Sequence, residues 1–139
     1  SVLADGDAFL THVVVDGTIE LDNAASKIIV GLQYKCRGKT LPLTSTNTQI
    51  EGKRKDVIGV AARIKDTRGL AFGADFDNLY EMKDRTDEDW GEALRLSNES
   101  TYETLDGTWD EDGSMVFEQQ YPLPATVLGL VIDADIGDT

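Results

Sequence analysis

Asp106, Asp110, Glu111 and Asp112 gather within seven positions beside Gly107 and Gly113, and carboxylates so spaced could hold a hard cation. A calcium loop of the EF-hand kind, however, alternates its acids, ends on a glutamate and lies between two helices. Here Asp-Gly pairs bound the segment and no helical pattern flanks it, so it reads as a solvated hairpin turn, with a weak Ca²⁺ or Mg²⁺ site as the alternative. Glycoside hydrolysis would need two carboxyls about 5–9.5 Å apart, one with a raised pKa. Nothing distinguishes one such pair among 26 acidic residues. The only histidine, His12, precedes Val13-Val14-Val15 and reads as a strand residue rather than a member of a Ser-His-Asp set.

The only cysteine, Cys36, lies between Lys35 and Arg37, where positive charge would favour a thiolate. A nucleophile also needs a base, and nothing in the sequence brings His12 to it, so Cys36 reads as a half-buried strand residue. One Cys and one His do not complete a zinc site, and a single Cys excludes an internal disulfide. The run Lys53-Arg54-Lys55 reads as a solvated strand entry, with an acidic neighbour in an oligomer or a phosphate as alternatives. Trp90, Trp109, Tyr80, Tyr102 and Tyr121 fall mostly outside regular strands and would anchor an interface where exposed. Asn98-Glu99-Ser100 fits a glycosylation sequon, a triplet common by chance. No residue is assigned a catalytic, cofactor-binding or metal-binding role, and no cofactor is expected.

At 139 residues the chain has the length of one domain, with 40% apolar and 28% charged residues, values of a globular protein. No apolar run approaches the ~20 residues of a membrane span, and no signal peptide opens the chain. The start SVLADGDAFL, lacking an initiator methionine, reads as a processed end or a cut from a longer protein. The net charge of −13 is uneven. Residues 1–70 carry ten Lys or Arg against eight Asp or Glu, whereas residues 71–139 carry three against eighteen. Such a field repels phosphate and disfavours nucleic-acid binding through the second half.

These side chains must be positioned by strands, because alternation and β-branched runs recur while helical stripes do not. Asp-Gly or Arg-Gly pairs at 5–6, 16–17, 37–38, 68–69, 106–107 and 112–113 punctuate the chain. The spacing predicts a first hairpin from 12–15 and 18–21 about Asp16-Gly17, then a strand over 27–34 running on to Arg37. Residues 40–43 read as an edge segment broken by Pro42, and 54–67 as the longest strand, with Ile58, Val60, Ala62 and Ile64 toward the core. Further strands are expected at 70–73, 93–97, 98–109 and 114–120, the last two joined by a hairpin at Asp110–Gly113. An acidic surface excursion covers 74–93, and a buried terminal strand covers 125–136. The expected core includes Ile28, Val30, Leu32, Ile58, Val60, Ile64, Val116, Val127, Leu128 and Val131. The fold class is all-β, an antiparallel sandwich or barrel of about eight to ten short strands with little helix.

Three segments also read in order: VGLQYKCRGKTLPL at 30–43, GKRKDVIGVAARIKDTRGLAFGADFDNLYE at 52–81, and DGTWDEDGSMVFEQQYPLPATVLGLVI at 106–132. Together they resemble the closing region of tail nozzle, or tail tubular protein B-like, proteins of short-tailed bacteriophages, over about positions 28–136. The matching positions are Val30-Gly31-Leu32, Tyr34, Leu41-Pro42, Thr67-Arg68-Gly69, Gly107, Asp112-Gly113, Pro122-Leu123-Pro124 and Thr126-Val127-Leu128. Two positions depart: Gln33 stands where the family carries proline, and Tyr121 precedes the PLP where an acid is usual. The resemblance implies residues 1–139 as a single β domain at the C-terminal end of a longer virion protein. It implies a non-enzymatic structural role in a six-fold ring continuing the DNA channel. Its partners would be other subunits of that ring and neighbouring tail proteins, with no specific nucleic-acid binding and no membrane, in a virion made in the bacterial cytoplasm. An adhesion or carbohydrate-binding sandwich using Trp90 and Trp109 is the alternative, and a small hydrolase the third.

Overall fold

The computed structural model describes residues 1–83, 89 and 94–137. Ten strands form, and there is no helix among the described residues. They are β1 (Val2–Ala4), β2 (Asp7–Phe9), β3 (Ile28–Val30), β4 (Cys36–Lys39), β5 (Lys55–Lys65), β6 (Leu70–Gly73), β7 (Leu79–Glu81), β8 (Ser100–Thr104), β9 (Val116–Gln119) and β10 (Thr126–Ile136). Three antiparallel sheets result, ordered β2-β1-β3, β10-β5-β8 and β4-β9-β6-β7. The second and third sheets share one core. Val57, Val60, Ala62 and Ile64 of β5 pack with Leu70 and Phe72 of β6, Met115 before β9, and Met82 and Leu105. The all-β expectation therefore holds.

The long strand lies where the apolar alternation puts it, with one correction to its phase. Asp133 pairs with Gly59 and Ala134 with Val57, so Ile58 is the extra residue of a bulge. Beyond the bulge Val60, Ala62 and Ile64 face the core as expected; before it the phase flips, so Val57 is buried and Ile58 only half-buried. The same flip turns Lys55 inward, 3% exposed. A second bulge leaves Leu128 unpaired between Val127↔Ile64 and Gly129↔Arg63. Leu128 and Val131 are consequently exposed, while Val127, Leu130, Ile132 and Ala134 pack against the core. The terminal strand is thus an edge strand with one open face, not a buried one.

The first hairpin forms at Asp5-Gly6, where φ is 48° and 100°, and not at Asp16-Gly17. Asp16-Gly17 makes the same kind of turn, but only a Val15–Thr18 bridge closes it, and among the described residues its arms join no strand. The strand expected over 27–37 divides: β3 pairs with β1, β4 pairs with β9, and 31–35 belongs to neither. Residues 94–97 form no strand beyond a Ser97–Thr67 bridge. The segments expected as one hairpin about Asp110–Gly113 go to different sheets, β8 to β5 and β9 to β4 and β6. Of the expected core, Val60, Ile64 and Val116 are buried and Val127 partly so, whereas Ile28, Val30 and Leu32 are exposed.

Candidate interaction surface

The polar residues that sequence singles out mostly serve the architecture. Lys55 bonds through its backbone to Asp110 in both directions, and its Nζ donates to the Glu111 carbonyl at 2.6 Å. The acidic turn is thereby wrapped around an internal ammonium, with Asp110 Oδ1 accepting from the Gly113 amide. Lys55 is not a free cationic face, and Asp106, Asp110, Glu111 and Asp112 do not converge. Among the described residues no group of three His, Cys, Asp or Glu side chains is placed to hold a metal.

Thr67-Arg68-Gly69 is a knot between sheets. The Thr67 hydroxyl, fully buried, accepts from the Thr126 amide at 2.7 Å and donates to the Lys65 carbonyl at 2.8 Å. Arg68, 5% exposed, donates to the Leu94 and Gly6 carbonyls, both at 2.6 Å, and so pins the small sheet to the body. Gly69 has φ 71°, and a Cβ there would lie 2.6 Å from the Tyr121 ring. Only glycine both reaches that conformation without strain and leaves room for the ring.

Cys36 is exposed on β4, and Lys35 and Arg37 are engaged elsewhere. They bind Glu118 of β9 at 2.9 and 2.6 Å, and the Arg37 guanidinium also stacks 4.8 Å over the Phe76 ring. Glu118 is 3% exposed; burial pushes its carboxyl up, but bonds and charge from Lys35 and Arg37 outweigh this and hold it below the usual range. Backbone amides of Ser26 and Lys27 depress Asp5. The Asn78 side chain and the Asp77 amide do the same for Asp75. A general acid needs the opposite displacement.

His12 stacks edge-on against Phe9, 5.5 Å between ring centres, near a shallow cavity that Asp5, Asp7 and Asp22 also line. Asn98 exchanges hydrogen bonds with Asp66, so the sequon amide is occupied. Trp109 is partly exposed against Gly137, and Tyr102 reaches over Gly59 to donate to Asp133 at 3.1 Å. Trp90 and much of the acidic excursion lie outside the described residues.

What remains is apolar surface with nothing beneath it. Leu32 is 95% exposed, Leu41 85% and Tyr34 66%, alongside Val13, Val14, Val15 and all of β3. Leu32 and Tyr34 precede β4 in the chain and Leu41 follows it, and β4 is an edge strand of its sheet. Large apolar side chains grouped in water mark contact surfaces. Sequence reasoning missed this surface, because a β-branched run reads the same whether it fills its own core or a neighbour's. No protein-family model matches the chain, and no curated protein matches it.

Proposed function

We propose that the chain is a non-enzymatic structural module of a short phage tail, a piece of the nozzle-like ring through which DNA passes. One observation carries this reading. Of the three segments that carry the resemblance, the second and third contain the knot at Thr67–Gly69 and the wrapped turn at Asp110–Gly113, whereas Val30, Leu32, Tyr34 and Leu41 of the first stand in water. A VGL-x-Y…TLPL segment that the core does not use fits a segment used by a neighbour.

Antibodies raised against the purified chain test the assignment by immunogold electron microscopy of virions from its source. Label at the distal tail is expected. Label confined to soluble lysate would overturn the reading.

A further inference from the structure

Among the edge strands of the three sheets, two carry opposite charge. The first is β4, edge of the β4-β9-β6-β7 sheet, continued past Lys39 by Thr40 and Leu43, whose amides bond to Met115 and Asp112. Its Arg37 and Lys39 project on the face away from the core, since Gly38 between them lies against the core-facing Phe117. With Lys35 they exceed the single charge of Glu118 by two. The second is β10, edge of the β10-β5-β8 sheet and eleven residues long. Its Asp133 and Asp135 also project away from the core, as Ile132 and Ala134 pack inward.

The apolar surface follows the same division. Leu32, Tyr34 and Leu41 flank β4, and Leu128 and Val131, the latter 70% exposed, lie on β10. An unpaired edge is a template for another strand unless charge forbids it. Placing β4 on a copy of itself would oppose Arg37 and Lys39 to their own kind, and two β10 edges would crowd four aspartates. Like charges directly opposite are destabilising, and opposite ones favourable. From these edges we infer that β4 of one copy pairs with β10 of a second copy of this chain, the basic edge meeting the acidic one with apolar side chains covered on both sides. The inference rests on reading the chain as a subunit of a ring, and it names the strands that make the subunit contact.

Sedimentation velocity on the full 139-residue chain tests it, with two charge reversals. Lys39→Glu cancels the excess positive charge of the β4 edge, and Asp135→Lys cancels the negative charge of the β10 edge; neither residue belongs to the Glu118 cluster. The unmodified chain should gain mass above 15.2 kDa as concentration rises, and lose that gain as salt is added. Each variant alone should associate several-fold more weakly, and an equimolar mixture should recover association, because the intact basic β4 of the Asp135→Lys variant then meets the intact acidic β10 of the Lys39→Glu variant. Circular dichroism matching the unmodified chain establishes that both variants fold. A strictly monomeric unmodified chain, variants that associate as well as it does, or a mixture no better than its parts would each overturn the pairing. Monomer in solution together with tail label on virions would remove this contact and leave the tail reading intact; association without tail label would do the reverse.

Discussion

Glu118 shows how one buried charge is tolerated. Its carboxylate leaves water for a site where Arg37 of β4 and Lys35 just before that strand reach over it, their own side chains nearly half in solvent. Because its folded pKa is depressed, its contribution is complete above the unfolded value near 4.5 and fades as pH falls through the folded value below that. Glu118→Gln should therefore lower stability at pH 7 by about 1.5–3 kcal/mol, the worth of hydrogen bonds to a charged group. Denaturant melts at pH 7 and pH 3 should show the gap between variant and parent shrinking at the lower pH; an equal gap at both would mean that shape, not charge, sets the cost. The sequence displays Lys35 and Arg37 beside Cys36 but cannot show that a glutamate 81 residues from Arg37 is their partner.

At the scale of elements, the turns at Asp5-Gly6 and Asp16-Gly17, the long strand 55–65 and the extent, though not the burial, of the terminal strand were legible, because turn chemistry and period-two alternation are local. The bulges were not. An extra residue at Ile58 leaves the alternation looking unbroken while it reverses which side chains are inside, and that reversal is what buries Lys55 and builds the acidic turn around it. The pair Ile64→Ala and Ile58→Ala tests the phase by chemical denaturation. Ile64, 2% exposed, should cost about 2–5 kcal/mol as a core truncation, and half-buried Ile58 should cost clearly less. Equal losses would place Ile58 in the core and remove the bulge. The division of 27–37 between two sheets was likewise illegible, since a strand-like run says nothing of which partner strand each half meets.

For the whole molecule, the uneven charge and the uncovered apolar surface make separate demands. Residues 71–139 carry three basic against eighteen acidic residues, so the chain should show no detectable binding to duplex DNA at physiological salt, where nonspecific binders reach ~10⁻⁴–10⁻⁶ M. Micromolar, salt-sensitive binding in a fluorescence titration would instead make Arg54 or its basic neighbours a phosphate contact. Leu32→Ser and Leu41→Ser should each change stability by no more than about 0.5 kcal/mol, as surface substitutions do, a null result that thermal melts can read directly. The apolar surface about β4 is read as belonging to a contact. Hydroxyl-radical footprinting of residues 28–43, in the free chain and in intact virions, measures it. We predict strong modification of Leu32, Tyr34 and Leu41 in the free chain and protection in the particle; equal modification in both states would contradict the account.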